Sequence, residues 1–477
     1  MIDPRSVFCA VRVLFIGEHM KQTQNKLASK MVIALGLGLL AGIASIFVRE
    51  QLIAGGNQTL WNTINNLLFA DISQPGNERA IGLFYVIGQL FIRSLQLVIV
   101  PMVFTSITLA MVKVNDAKQL GRISTKTIRT FLITSFVALI FAGIVGMSAY
   151  NANLFGNFQS QGLASTTGST SSNPLMILIN AVPSNAIAAF SNNGGVLAIV
   201  ILAVTVGLAI NALGEKVTAL PKVCEEISEI ITVCLSYIIN HFGPIAIFVL
   251  ITRTFATYGI EYLKPAFAYI AIVTVLLLIY LFLGYAGFVS ILARVNPMPF
   301  LKKIAKVALF GFSTSSSAAT LPLNMKTTTE ELGVDKEISS FVLPLGMTIN
   351  MDGTAIMQVI AAIFIASCGG YELTIGSVAL IAVLALVASV GTPAAPGAGA
   401  VVLFTILSGM GYGNETALMA YTLILAINRP IEMLVTSLNC VGDSAAALIV
   451  AKSEGLLDEK VYNSNEIETS LNIVENN

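Results

Sequence analysis

Charge is what this sequence has least of. Only 11% of its 477 residues are Asp, Glu, Lys or Arg, whereas a soluble domain carries about 25%. So few charges cannot cover a water-facing surface, and 55% of the residues are hydrophobic. Lys plus Arg and Asp plus Glu both number 26, giving a formal net charge of zero. That balance removes the basic field on which nucleic-acid binding depends. Histidine is scarcer still: His19 and His241 are the whole supply. A His-based metal site and Ser-His hydrolysis are therefore nearly excluded. The five cysteines (Cys9, Cys224, Cys234, Cys368, Cys440) form no C-x-x-C pair and sit mostly in apolar runs, where cysteine acts as a small hydrophobe.

What is abundant is long apolar sequence. A helix needs roughly 20 apolar residues to cross about 30 Å of hydrocarbon. Six stretches qualify: 30–48, 81–112, 127–151, 185–213, 225–256 and 265–294. Ahead of them, Arg5 and Arg12 flank a run too short to span, and Met20 opens a basic lead-in with Lys21, Lys26 and Lys30. This pattern predicts that translation begins at Met20, with 1–19 a mis-assigned start and 1–29 a cytoplasmic segment. Basic residues cluster after the second span (Lys113, Lys118, Arg122, Lys126, Arg129), the fourth (Lys216, Lys222) and the sixth (Arg294, Lys302, Lys303, Lys306). The positive-inside rule then places both termini in the cytoplasm and the uncharged stretch 152–183 outside. The tail 456–477 is expected in the cytoplasm.

Beyond residue 295 the pattern changes. Gly311 to Leu323 and Val390 to Ala400 are rich in Gly, Ser, Ala and Pro yet lie among apolar residues. Each precedes a long apolar helix, 338–368 and 414–451. Non-helical backbone at membrane depth survives only where protein or a water-filled cavity satisfies it. Two such breaks in corresponding positions point to inverted repeats with a binding site between them. The expected fold is all-α, with eight transmembrane helices and two re-entrant helical hairpins. The first six helices occupy 30–294, and the core hairpin–helix–hairpin–helix occupies 295–455.

Two polar constellations interrupt the apolar core. The first is Asn350-Met351-Asp352-Gly353-Thr354. A carboxylate at the bilayer centre costs about 2.5–3.5 kcal/mol on insertion scales, and no Lys or Arg of the same span can neutralise Asp352. A bound cation is the natural partner, because hard cations take carboxylate, amide and carbonyl oxygens. The second is Asn428, Glu432, Thr436, Asn439 and Asp443, which fall within an arc of about 80° on one helix. Its flanks are Leu, Val, Ile and Ala, so the stripe faces protein or a cavity. Arg429 stands three residues before Glu432 and can pair with it.

At these residues the chain resembles the glutamate/neutral amino-acid transporter family of dicarboxylate/amino acid:cation symporters, which includes archaeal aspartate symporters and animal excitatory amino-acid transporters. The similarity spans nearly all of 30–455. It is strongest at Ser-Thr-Ser-Ser-Ser-Ala-Ala-Thr-Leu-Pro (313–322), Asn-Met-Asp-Gly-Thr (350–354), Gly-Thr-Pro-Ala-Ala-Pro-Gly-Ala-Gly (391–399) and Asn-Cys-Val-Gly-Asp (439–443). The resemblance implies a homotrimer in the inner or plasma membrane, with a static scaffold and an elevator-like transport domain that includes the third and sixth spans. It implies two or three Na+ sites. One uses Asn350, Asn439, Asp443 and the Gly346 carbonyl. A second uses Asp352 and Asn350 with Thr134 and Ser135. A third uses carbonyls of Ser389, Val390 and Thr392 with Thr348 and Met351. The substrate carboxylate would meet Asn439 and Ser317 in the Ser315-Ser316-Ser317 run, and its ammonium Glu432 and Thr436. Thr354, Ala395, Gly399 and Val435 would line the rest.

Three departures bear on the cargo. Acidic-substrate members have Arg where this chain has Val435, which favours a neutral cargo of the Ala, Ser or Thr type. Glu432 replaces the usual Asp, one methylene longer, and Gln358 replaces the proton-carrying Glu of animal glutamate carriers. The alternatives are acidic amino acids or C4-dicarboxylates with Arg429 compensating, or cystine. A channel can also use broken, carbonyl-rich helices, though two hairpins and a polar stripe fit a carrier better. A hydrolase using Ser315 to Ser317 lacks a nearby base. The expected function is sodium-coupled symport or exchange of a small amino acid, with no enzyme activity and no nucleic-acid partner.

Overall fold

The computed structural model describes residues 30, 33–73, 76–119, 122–156, 182–191, 196–258, 263–390, 392 and 397–464. Within them the chain is helical throughout. The sole β contact among the described residues is an isolated antiparallel bridge, Val334 to Leu457. Eight helices there are long and apolar enough to cross a membrane: Ile33–Ala54, Leu83–Val112, Arg122–Asn151, Ala198–Lys216, Ala219–Thr257, Lys264–Ala293, Lys336–Cys368 and Arg429–Glu454. Large apolar side chains stand exposed on the outer helices, among them Leu40, Leu97, Phe136, Leu283 and Leu309. In water such faces would be a liability; against lipid tails they are the expected surface.

Several boundaries differ from the sequence reading. The stretch 185–213 is two helices, Ala186–Phe190 and Val196–Leu213, the first capped by the Asn185 side chain accepting from Ala188 N at 3.1 Å. The third span begins at Arg122, so Arg122, Lys126 and Arg129 ride on its first turns. The fifth begins at Ala219 and reaches Tyr258 through a π-turn at Ile238–Phe242. The helix expected over 414–451 is split into Glu415–Ile427 and Arg429–Glu454. Pro430 causes the split, since it lacks an N–H and clashes with the preceding turn.

The two expected breaks have local causes. Ser315 adopts a left-handed conformation (φ 48°) and ends the helix Pro297–Thr314, while the Ser316 side chain caps the next helix, Ser317–Lys326. The two form a tight helical pair. The second pair is Ile375–Val390 and Ala398–Met410, the latter starting after Gly397 (φ 84°). A Cβ at Gly397 would lie 2.7 Å from Ile239 Cδ1, so both conformation and space select glycine there.

The centre of the molecule is the helix Asp352–Cys368, every residue of which is buried. It is wrapped by Arg122–Asn151, Leu263–Ile279, Ile375–Val390, Ala398–Met410, Glu415–Ile427 and Arg429–Glu454. The start of the expected tail is docked. Asp335 N donates to Leu456 O (3.1 Å) and Asp458 N to Gly333 O (2.8 Å). Buried Lys303 donates its Nζ to the carbonyls of Glu331, Val461 and Tyr462 at 2.7–2.9 Å. The fully buried Tyr462 donates to Asn296 O (2.6 Å), burial having pushed its phenol up to about 12. This segment therefore ties the end of the last span to the base of the first helical pair.

Candidate functional site

The span Lys336–Cys368 breaks at Asn350 and Met351, both outside helical conformation (ψ 85° and 51°), leaving helices Lys336–Ile349 and Asp352–Cys368. The break exposes backbone groups that need partners in a buried setting. Asn350 N donates to Gly346 O (2.8 Å) and closes the first helix. Gly353 N, in the first turn of the second, donates to Asn439 Oδ1 (2.9 Å). The partner comes from the polar stripe on Arg429–Glu454. A Cβ on Gly353 would sit 2.9 Å from Val435 O, so glycine permits the close approach.

Asn439 and Asp443 of the stripe converge on the same break. Asn439 Nδ2 donates to Thr354 Oγ1 (3.1 Å), and Asn350 Nδ2 donates to Asp443 Oδ1 (3.1 Å). Asp352 is completely buried. Ser135 Oγ donates to its Oδ1 at 2.5 Å, and Tyr285 Oη to its Oδ2 at 3.0 Å. Thr134 Oγ1 donates to Phe131 O (3.0 Å) and also faces Asn350 Oδ1 at 3.4 Å. Tyr280 Oη donates to Thr134 O at 2.5 Å. The first two predicted ligand sets, Asp352, Asn350, Thr134 and Ser135, and Asp443, Asn350, Asn439 and Gly346, are thus one continuous cluster.

Its electrostatics call for a cation. Asp352 and Asp443 take part in none of the ion pairs among the described residues, which join Arg122 and Lys126 to Glu454, Lys306 to Glu331, Lys326 to Glu330, Arg429 to Glu432 and Lys452 to Glu459. Buried charges persist when paired or when they coordinate metal. Glycine lets the backbone pack closely against these oxygens. A Cβ at Gly346 would fall 2.4 Å from Asp443 Oδ1, and one at Gly442 would fall 2.3 Å from Tyr285 Oη. The donors are all oxygen: two carboxylates, two amides, hydroxyls and a carbonyl. That chemistry suits a hard cation.

About two helical turns before Asn439 lies a second polar group. Glu432 Oε1 accepts from Ala400 N (3.2 Å), in the first turn of Ala398–Met410, and Arg429 Nη1 lies 3.5 Å from Oε2. Arg429 is 7% exposed, and its Nε and Nη1 have no hydrogen-bond partner. Asn428 Oδ1 accepts from Tyr269 Oη (2.8 Å). Gln358 Nε2 donates to Gly399 O (3.0 Å), while its Oε1 is buried without a partner. Thr436 Oγ1 donates to Glu432 O (3.0 Å), so its proton is spent locally and its lone pairs remain. Val435 is buried against the break.

Ser315, Ser316 and Ser317 are buried at the tip of the first pair. That pair packs on the stripe-bearing helix: a Cβ at Gly311 would lie 3.3 Å from Ser437 Cα, and Asn324 Nδ2 donates to Cys440 O (2.9 Å). Thr354 and Gly399 are neighbours, with 3.4 Å from a Gly399 Cβ to Thr354 Cγ2. Hydrogen bonding does not assemble the third predicted set. Ser389 Oγ donates to Leu386 O, Thr392 Oγ1 to Ala388 O and Thr348 Oγ1 to Leu345 O, each at 2.9 Å within its own segment. Val390 is half-buried, and Met351 Sδ lies 3.8 Å from Thr354 Oγ1. Ala395 lies outside the described residues. Sequence reasoning missed Tyr269, Tyr280 and Tyr285. Their signal was present as three tyrosines in the apolar stretch 265–294, where a buried phenol usually finds a partner.

The profile of the sodium:dicarboxylate symporter family matches residues 27–453. A proton/sodium-glutamate symport protein of Bacillus caldotenax is 29% identical over 395 residues, covering 81% of this chain and 91% of that protein. A proton/glutamate-aspartate symporter of Escherichia coli (strain K12) is 29% identical over 389 residues, 78% of this chain and 86% of the relative. Excitatory amino acid transporter 3 of Mus musculus is 34% identical over 286 residues, covering 60% and 53%.

Proposed function

We infer, since this chain belongs to the sodium:dicarboxylate symporter family, that it carries a small amino acid across the membrane together with sodium. The observation that carries this reading is the pair of buried carboxylates at one helix break, without a cationic side chain: Asp443 held by Asn350, and Asp352 by Ser135 and Tyr285. Sodium would take the oxygens of Asp443, Asn350, Asn439 and Gly346 at one place and of Asp352, Thr134, Ser135 and Asn350 at another. A third place under the second helical pair follows from the resemblance.

Coupling follows from sharing. Asn439 holds the backbone of the break through Gly353 and Thr354 and is also the group expected to meet the cargo carboxylate. A cation that orders Asn350 and Asp443 therefore orders Asn439. Without the cation, two unneutralised carboxylates at membrane depth oppose movement through the apolar surround. At the cargo end, Ala400 N and Arg429 occupy the Glu432 carboxylate that a substrate ammonium would take, so binding there exchanges one set of partners for another. In this reading the two helical pairs are re-entrant. The second closes over the cargo, and 295–455 moves with the third and sixth spans against a trimeric scaffold in the inner or plasma membrane.

Val435 favours a neutral side chain on the cargo, because no guanidinium stands there. A second reading, an acidic cargo, draws on the buried guanidinium of Arg429, whose Nε has no hydrogen-bond partner, and on relatives whose names specify glutamate or aspartate. Proteoliposome uptake of labelled serine, alanine, threonine and aspartate, with and without an inward sodium gradient, separates them. Gradient-driven serine or alanine uptake supports the neutral reading, and aspartate alone supports the acidic one. Uptake indifferent to sodium overturns both.

A further inference from the structure

Away from the cation cluster, a polar cavity of about 270 Å³ lies where Leu83–Val112, the end of Ala219–Thr257 and Glu415–Ile427 meet. One wall is charged. Arg253 Nε donates to Phe69 O (2.8 Å), and its guanidinium lies over the Tyr85 ring, 4.8 Å from the centroid. Tyr85 Oη donates to Ser73 Oγ (3.2 Å), and Ser73 N and Oγ both donate to Asp71 Oδ1 (2.8 and 2.6 Å). Asp71 and Arg253 are thus each fixed by neutral partners and line one cavity, yet no ion pair joins them. Leu250 and Leu418 add apolar lining, and Thr422 offers hydroxyl lone pairs because its proton goes to Met419 O (2.8 Å).

A fixed cation and a fixed anion that line one cavity unpaired, together with apolar side chains, complement a zwitterion. The volume falls just under the range of about 300–1,000 Å³ of drug-sized sites, which suits a single free amino acid. We propose that this cavity is a second amino-acid site, separate from the Glu432 pocket, with the carboxylate on Arg253, the ammonium on Asp71 and the side chain against Leu250 and Leu418. Its location gives it a consequence that rests on the transport reading above. One wall belongs to Glu415–Ile427, which leads directly into the stripe-bearing helix; the others belong to the second and fifth spans and the segment before the second, which are expected to stay still. A ligand bridging the two walls resists their sliding, so high external amino acid slows its own transport.

The test uses the full-length purified chain in lipid nanodiscs and equilibrium binding of labelled serine and aspartate, with propionate and methylamine as single-charge competitors. Two classes of site are expected, one dependent on sodium and one independent of it. Leu418→Trp, which fills the cavity, should abolish the sodium-independent class. Arg253→Gln and Asp71→Asn should each weaken it at least about tenfold, the loss of one charge-assisted contact. All three should retain the sodium-dependent class, and Leu418→Trp should also relieve slowing of uptake at millimolar substrate. A single sodium-dependent class overturns the proposal, as does sodium-independent binding that survives Leu418→Trp. Competition by propionate alone as effective as by serine makes the site an anion site and overturns the assignment. Loss of the sodium-dependent class with the other intact would instead refute the symport reading.

Discussion

Gly346→Ala is the most informative single substitution, because it removes no oxygen ligand. Gly346 lies inside the helix Lys336–Ile349, where exchanging glycine for alanine ordinarily favours the helix by about 1 kcal/mol. Here the new methyl would stand 2.4 Å from Asp443 Oδ1, 2.8 Å from its Cγ and 3.1 Å from Phe131 Cζ. Overpacking of that kind costs about 1–3 kcal/mol, so the clash outweighs the helix gain by at most about 2 kcal/mol and the protein should still fold. What moves is the carboxylate. Displacing Asp443 forfeits about one charge-assisted contact to a cation, roughly 1.5–3 kcal/mol, or about a ten- to hundredfold rise in the sodium concentration needed. Thermal unfolding of the purified chain across a sodium series reads this directly, since a ligand of the folded state raises its midpoint by mass action. A sodium half-effect within about twofold of the unmodified protein, in a variant that melts normally, would refute the assignment of Asp443 as a ligand.

Asp443→Asn keeps the shape and the Asn350 contact but removes a charge, so sodium dependence of uptake should weaken by at least about tenfold; an unchanged sodium titration argues against a ligand role. Gln358→Glu should make uptake depend on pH. Only the protonated acid can donate to Gly399 O as Gln358 Nε2 does, so transport should fall as pH rises, and a flat pH profile would contradict that tie. Val435→Arg should shift preference toward aspartate over serine in competition assays; no change would mean that Val435 does not face the cargo side chain. Lys303→Met should lower the thermal midpoint, since three buried carbonyls lose a charged donor worth about 1.5–3 kcal/mol; an unaltered midpoint would show the docked segment to be dispensable.

Much of the site was legible because it violates the local pattern. Asp352 and Asp443 stand out in apolar helices, and the 100° step of a helix aligns Asn428, Glu432, Asn439 and Asp443 without any tertiary information. Asp443 and Asn439 of that stripe meet Asn350 and Gly353, while Asn428 and Glu432 meet Tyr269 and Ala400. The pairing of Arg429 with Glu432 followed from three-residue spacing and is present at 3.5 Å. Other features were out of reach. Tyr285 meets Asp352 from 67 residues away, and hydropathy treats a tyrosine in an apolar run as one more buried ring. The split at Asn428 was readable in Pro430 and was missed because the flanking apolar residues suggested one continuous span. The docking of 456–464 depends on main-chain pairing to 333–335 and on the Lys303 amine, contacts that leave no periodic trace in the sequence.

The central claim is that amino acid and sodium move together because one helix break serves both. Amino-acid-dependent entry of radioactive sodium into proteoliposomes tests it most directly. Sodium entry should rise with added substrate in proportion to substrate uptake, and both should collapse together in Asp443→Asn. Sodium entry that ignores the substrate, or substrate uptake that persists at full rate in that variant without sodium entry, would contradict it.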